Sequence, residues 1–370
     1  MRVARTPALI FVVMLFIAGI APQGIGASSD FPPNWPWRGV VITSFSPPDA
    51  VDMEYLSRIG VNAVSIHLYT RLEAEVKKIS GSEAFAKELE RVDVILDECK
   101  RRNITAVITA FQIPMDPALG LTQNSPEFWD DPERLKEAVY VAGELAQRFK
   151  GRGRELAAYE ILSEPLVIRN GKNEAPAAWP VLMKDIVKEI RKYDKTRFIS
   201  ITPGIGGLPR GYKDFKPLDD PYIIYGAHMY EPHAFTHQGI RDLWPLGVKY
   251  PGRVRLIKYW DRDALEGALK PLLDFRKMHN VPVWIGEFSA ARWGEGAEEY
   301  LKDLIGIFDG NGWAWTYHCF KCWHGWDPDY AGGFSTDDPK DWKQHYKGRD
   351  TERWTVLKKS FSKNKQGWRK

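Results

Sequence analysis

Two glutamates stand at the ends of apolar segments, which makes them candidates for acid–base chemistry. Glu164 follows an apolar run and precedes Pro165, and Glu287 lies between Gly286 and Phe288. Glycoside hydrolysis needs such a pair, because one carboxyl group protonates the leaving oxygen and the other attacks the anomeric carbon or activates water. Since carboxylates are rarely buried without partners, Glu287 in its apolar segment in particular indicates a functional site.

His228 and Tyr230 stand where a third apolar segment ends. They are two residues apart, so on a strand their side chains share one face. Tyr230 can donate a hydrogen bond to a carboxylate, and His228 can orient the carboxyl groups or relay a proton. The two carboxyl groups must differ in pKa, so one of them should lie near a cation or hydrogen-bond donors.

These four side chains meet only if their segments are neighbouring strands of one parallel structure. Short apolar runs alternate with helical patterns along the chain, which predicts a parallel sheet buried on both faces. Eight such units predict an α/β fold, a closed (β/α)₈ TIM barrel in a single domain over residues 28–370. An open doubly wound sheet is the alternative, although no G-x-G-x-x-G follows the first strand. Predicted strands cover residues 39–44, 61–68, 104–110, 156–162, 198–202, 222–228, 281–288 and 313–318, and the main helices cover 49–59, 82–102, 132–150, 179–193, 263–279, 295–308 and 351–361.

Tryptophan is abundant, with 15 among 370 residues. Trp293 and Trp323 fall in the loops after the seventh and eighth strands, as does Trp326. There their flat apolar faces are expected to stack on sugar rings. Trp35 and Trp37 precede the first strand, at the opposite end, so packing is the better interpretation for them.

Several of these segments resemble glycoside hydrolase family 5, the cellulase family of clan A. Ser163-Glu164-Pro165 stands where the family has Asn-Glu-Pro, and Glu287 matches its nucleophile. His228-Met229-Tyr230 matches its His-x-Tyr. The segment 230–239 and the later Tyr-Pro-Gly at 250–252 are very similar to bacterial members. The resemblance implies a TIM barrel and a retaining mechanism, with Glu164 as general acid/base and Glu287 as nucleophile. In these roles Glu287 is expected to be ionised, with its pKa lowered by the Tyr230 hydroxyl, and Glu164 is expected to hold its proton near neutral pH.

The chain departs from the family pattern at four positions. Ser65 stands where the family has an arginine beside the nucleophile, and Phe111 replaces a histidine after strand three. Ser163 replaces the asparagine that binds the sugar 2-hydroxyl, and His318 replaces the tryptophan under the sugar. These changes are consistent with a pseudoenzyme or with a divergent bacterial-type member that has another substrate. The second is favoured, because both glutamates and the His-x-Tyr remain.

The resemblance implies a further set of substrate contacts. Ser163 and His318 are expected to contact the sugar, together with His237 of the segment 230–239, Trp293 and Trp323. In divergent members with a similar segment after strand seven, Arg292 is the candidate for the missing cation near Glu287. The expected activity is cleavage of a β-linked polysaccharide, by default as an endo-β-1,4-glucanase. A non-catalytic carbohydrate-binding barrel and a mannanase or other β-glycanase are the alternatives.

Cys319 and Cys322 form a C-x-x-C flanked by His318 and His324, which permits a zinc interpretation. No second C-x-x-C accompanies it, so packing is favoured, with a short disulfide as a further possibility. The glycosidase chemistry requires no metal or organic cofactor. Metal-dependent hydrolysis by these four residues is therefore only an alternative.

The first 27 residues have the pattern of an export signal. Arg2 and Arg5 precede an uncharged apolar run that is shorter than the about 20 residues a membrane span needs, and small residues follow up to Ala27. The protein is therefore expected to be secreted or periplasmic, without a membrane association after cleavage. A net charge of +4 argues against nucleic acid as a partner. A polysaccharide or oligosaccharide is the expected partner, and the protein is expected to be a monomer.

Overall fold

The computed structural model describes residues 31–115, 117–240, 244–254 and 257–364. The expected signal segment, residues 1–27, lies outside the described residues. Among the helices of the described ranges, none combines the length and apolar character needed to cross a membrane.

Eight parallel strands close into a barrel in which each strand pairs with its neighbours in chain order. The fold is therefore the predicted (β/α)₈ barrel. Every residue of strands two to eight is buried, as expected for strands that face the barrel interior on one side and helices on the other. We number the barrel strands one to eight: Arg38–Thr43, Ala63–His67, Thr105–Ala110, Leu156–Ile161, Phe198–Ile201, Ile223–Met229, Val283–Phe288 and Ala314–Tyr317.

The predicted helices surround the barrel, and their ends agree with the prediction to within two residues. Side-chain caps explain several of these ends: Ser80 accepts from the backbone of Glu83 at the start of the longest helix, and Asn103 ends it with a left-handed φ of 55°. The helices of the barrel are Ala50–Arg58, Thr70–Lys77, Gly81–Arg102, Pro132–Phe149, Trp179–Tyr193, Arg262–His279, Ala297–Gly310 and Glu352–Phe361.

The connection after strand five contains only the 3₁₀ turn Pro209–Tyr212. This segment is rich in glycine and proline, which disfavour helix. The loops also contain the short helices Pro126–Asp130, His233–Thr236 and Pro339–Trp342, and the two-stranded pairs Val167–Arg169 with Lys172–Glu174 and Gly252–Val254 with Lys258–Trp260.

A separate apolar cluster fills the amino-terminal end of the barrel. Trp37 and Trp284 are fully buried there, with ring centroids 5.8 Å apart in an edge-to-face arrangement. Small residues such as Ala63 and Ala158 belong to the same cluster, and Trp35 packs against it. The packing role expected of Trp35 and Trp37 is confirmed.

Candidate active site

The two glutamates meet at the carboxyl ends of strands four and seven. Leu162, just after strand four, has a left-handed φ of 55°, and this turn precedes Glu164. Glu164 Oε1 lies 2.7 Å from Nδ1 of His228 on strand six. One carboxylate oxygen of Glu164, one of Glu287 and a ring nitrogen of His228 all lie within 4.8 Å of one another. The barrel therefore brings together three of the residues singled out from the sequence.

Tyr230 completes this group by donating a hydrogen bond of 2.8 Å to Oε2 of Glu287. Within the described residues, Oε1 of Glu287 has no hydrogen-bond partner. Burial therefore raises the pKa of Glu287 to about 7, although the charge of His228 and the bond from Tyr230 act in the opposite direction. The expectation of a lowered pKa is wrong, because one phenol donor does not offset the loss of water around the second oxygen.

His228 is the cation of the site. Burial lowers its pKa, but Glu287 and the hydrogen bond to Glu164 outweigh burial and raise the pKa to about 9. Gly286 makes room for this ring, since a Cβ at that position would lie 3.2 Å from Nε2 of His228. A protonated imidazole between two carboxyl groups thus supplies positive charge where the family pattern has an arginine at the position of Ser65.

Ser65 itself belongs to a buried polar layer beneath the glutamates. Its hydroxyl lies 3.1 Å from that of Thr109, which donates to Glu160 at 3.2 Å. Ser200 donates to the other oxygen of Glu160 at 2.8 Å. Burial raises the pKa of Glu160. Ser65 therefore supports the floor of the site rather than the nucleophile directly.

His67, at the end of strand two, is a site residue that the sequence analysis missed. Its Nδ1 lies 3.7 Å from Oε1 of Glu287, and its ring stacks on Phe111 with centroids 5.6 Å apart. Burial holds the pKa of His67 well below its usual range, so the ring is neutral. His67 could have been predicted from the sequence, because it stands two residues after Ser65 on the same strand face and at the carboxyl end of the strand.

Glu164, Glu287, His228 and Tyr230 form the candidate catalytic group. His318 and His237 lie beside it, with ring centroids 6.4 Å and 5.0 Å from that of Tyr230, together with a tryptophan. Trp326 stacks on Tyr230 at 5.7 Å, and its ring lies 5.1 Å from His318 and 5.1 Å from His237. Burial lowers the pKa of His318 and of His237 to about 3 in each case. Ser163 is also buried here. Of the three tryptophans noted in these loops, Trp326 is therefore the one in contact with Tyr230.

Trp293 and Trp323 are linked to Tyr230 through Trp326. Their rings are 5.8 Å apart, and Trp323 contacts Trp326 at 5.0 Å. Arg292, expected as a cation beside Glu287, instead donates to the carbonyl oxygen of Gly332 at 2.9 Å and also bonds Gly333 and Ser335. Arg292 therefore fastens the loop after strand eight, and the cation near Glu287 is His228.

The C-x-x-C segment does not assemble the ligand set of the zinc interpretation. Cys319 and Cys322 are joined as a disulfide. His318 faces the catalytic group, whereas His324 stacks on Trp342 at 5.4 Å. Among the described residues, the clusters that could hold a metal ion both contain Glu287: one adds His67 and His318, and the other adds Glu164 and His228.

The chain is similar to several known proteins. The family described as Cellulase (glycosyl hydrolase family 5) matches residues 31–322. Endoglucanase C of Acetivibrio thermocellus is 27% identical over 263 residues, which cover 62% of this chain and 72% of the relative. Endoglucanase 3 of Fibrobacter succinogenes is 28% identical over 236 residues, covering 55% of this chain and 34% of the relative.

Solved structures share the fold. A glycoside hydrolase structure superposes with a TM-score of 0.66 at 23% identity and covers 88% of this chain and 99% of its own. Endoglucanase Cel5A of Thermotoga maritima superposes with a TM-score of 0.63 at 21% identity, covering 87% of this chain and 96% of its own.

Proposed function

Because this chain belongs to the cellulase family, glycosyl hydrolase family 5, and is a glycoside hydrolase, we propose that it cleaves β-1,4-glucan internally and with retention. Glu287 attacks the anomeric carbon and Glu164 protonates the leaving oxygen, then activates water in the second step. The endoglucanases among its relatives favour glucan as the substrate.

The separation of the carboxyl groups carries this proposal. An oxygen of Glu164 and an oxygen of Glu287 lie within 4.8 Å of each other. Retaining enzymes hold their carboxyl groups about 5–5.5 Å apart, whereas inverting enzymes need roughly 6.5–9.5 Å to admit a water. The close spacing therefore supports direct attack by Glu287.

Unequal exposure supports the division of roles. The side chain of Glu164 is 33% exposed, whereas that of Glu287 is 5% exposed. A general acid/base has to reach the leaving group and later a water molecule, which suits Glu164. A nucleophile in a dry environment is poorly solvated and needs fixed partners, which Tyr230 and His228 provide.

Export is part of the proposal. The basic start and apolar run of residues 1–27 have the pattern of a cleaved signal. The disulfide between Cys319 and Cys322 supports an oxidising compartment. Amino-terminal sequencing of the protein from the medium or periplasm should give a start near Ser28, and protein that starts at Met1 would argue against export.

Hydrolysis of a glycan panel tests the activity. We expect the purified protein to release reducing ends from β-1,4-glucan, with the β-anomer formed first by NMR, and Glu287→Ala to lose this activity. Faster hydrolysis of mannan or xylan would reassign the substrate. A wild-type protein that binds these glycans and hydrolyses none would contradict the proposal and favour a carbohydrate-binding barrel.

A further inference from the structure

A cavity lies in the loop after strand eight, outside the group formed by Glu164 and Glu287. Its volume is about 470 Å³, and its lining includes Trp323, Tyr330, Trp342 and Asp327. Binding sites for small molecules typically have volumes of about 300–1,000 Å³. The cavity is therefore large enough for a ligand.

Aromatic rings form much of the wall of this cavity. Tyr330 lies 5.7 Å from Trp342 and 5.3 Å from Tyr346, and both pairs are edge-to-face. Trp342 stacks on His324 on one face with an interplanar angle of 4°. The C–H face of a sugar ring is apolar, so it packs well against such rings.

Polar groups are interleaved with the aromatic rings. Asp337 accepts from Nε1 of Trp323 at 2.8 Å and lies 3.2 Å from Nε2 of His324. Nδ1 of His324 is buried and has no partner within the described residues. Asp327 is 4% exposed and accepts from the backbone of Asp329 at 3.0 Å. Carboxylates and an unpartnered ring nitrogen are suited to bind hydroxyl groups.

The charges around the cavity favour a neutral ligand. Three aspartates line it, at positions 327, 329 and 337, together with Lys321. The ammonium group of Lys321 is paired with Asp52, which is buried. Asp329 is paired with Arg349 at 3.2 Å, so its charge is compensated. The carboxylate of Asp337 is largely exposed and would repel an acidic sugar.

A series of side-chain contacts links the wall of the cavity to Glu287. Trp323 lines the cavity and contacts Trp326 at 5.0 Å, and Trp326 stacks on Tyr230, which donates to Glu287. We propose that this cavity is an accessory subsite that holds a neutral pyranose unit of the polysaccharide bound at Glu164 and Glu287. This inference rests on the proposed function and adds a binding site to it.

Titration calorimetry in a Glu287→Gln background, which leaves oligosaccharides uncleaved, tests the subsite. Cellobiose, cellohexaose and trigalacturonate are the probes. We expect Trp342→Ala to weaken the binding of cellohexaose roughly tenfold and that of cellobiose by less than about twofold, because only the longer sugar reaches the cavity. Trigalacturonate should not bind. Tyr140→Ala, which removes an exposed tyrosine on an outer helix, is the control and should leave both affinities unchanged.

Equal cellohexaose affinities with and without Trp342 would overturn the subsite while the proposed function stands. Tyr346→Ala serves the same test if Trp342→Ala does not fold. If the wild type hydrolyses no β-glycan, the proposed function fails separately. The subsite is then judged from saturation-transfer NMR with methyl β-glucoside: a signal lost in Trp342→Ala supports it, and a missing or unchanged signal refutes it.

Discussion

Glu287 is deeply buried, and among the described residues Tyr230 is its single hydrogen-bond donor, on one of its two oxygens. Its pKa is raised to about 7, so the fraction of ionised nucleophile grows as the pH rises through neutrality. We expect kcat/KM for an aryl β-cellobioside to have its acid limb near pH 7. A limb near the value of a free glutamate, about 4.3, would contradict this view of the nucleophile.

Tyr230→Phe tests how the phenol of Tyr230 affects the pKa of Glu287. The phenol stabilises the charged form of Glu287, so its removal should raise the pKa further and shift the acid limb to higher pH. The loss in kcat/KM should therefore be larger at pH 6 than at pH 8. Tyr140→Phe on an outer helix is the matched control. An acid limb that stays in place or shifts to lower pH in Tyr230→Phe would refute the assignment.

Sequence patterns predicted four residues of the site but neither the pKa of Glu287 nor the position of His67. Glu164, Glu287, His228 and Tyr230 were predictable because each stands at the carboxyl end of an apolar segment. The raised pKa of Glu287 was not predictable, since it depends on how many donors surround each oxygen. His67 was not predicted, because the family pattern points to position 65 on the same strand. The side chain of Ser65 lies in the buried polar layer of Thr109 and Glu160.

At the scale of elements, strand and helix ends followed from local signals. The longest helix, for example, begins at Gly81, one residue before its predicted start, because Ser80 caps it, and it ends at the predicted Arg102. The short helices in loops, such as Pro339–Trp342, were not predicted, because four residues carry too little periodicity. The glycines and prolines of the connection after strand five disfavour a helix, and the 3₁₀ turn Pro209–Tyr212 lies there instead.

Glu88 links the longest helix to the loops after strands one and two. It accepts from the hydroxyl of Ser44 at 2.6 Å, the backbone of Tyr69 at 2.8 Å and the hydroxyl of Thr70 at 2.5 Å. Glu88→Ala would leave these donors without their acceptor, so we expect a loss of about 3 kcal/mol or more in unfolding free energy. Urea denaturation measures this, with the exposed Glu90→Ala on the same helix as control. A loss no larger than that of the control would contradict the role of Glu88.

At the scale of the whole molecule, the chain continues beyond the family match at residue 322. That continuation contains Trp326 and the cavity, and it is tied to the final helix by Arg353. Arg353 is 2% exposed and donates to the hydroxyl of Tyr317 and to the carbonyl oxygens of Trp326, Asp327 and Tyr330. This arginine therefore positions the loop that carries Trp326, whose ring stacks on Tyr230.

Arg353→Met is expected to lower the unfolding free energy by about 2–4 kcal/mol, because several buried acceptors lose their donor. The exposed Lys359→Met on the same helix should change it by less than about 0.5 kcal/mol. Thermal and urea unfolding compare the two variants. Equal stabilities would show that the loop is held by other contacts.

The central claim is the division of roles between Glu164 and Glu287, and azide rescue tests it most directly. With an activated aryl β-glycoside, Glu164→Ala should still form the glycosyl-enzyme, and azide should turn it over to a β-glycosyl azide. Glu287→Ala should instead give the α-glycosyl azide, because azide attacks in place of the nucleophile. NMR of the two products decides the matter. The reverse anomers would show that the roles are exchanged, and wild-type activity in both variants would show that neither residue is catalytic.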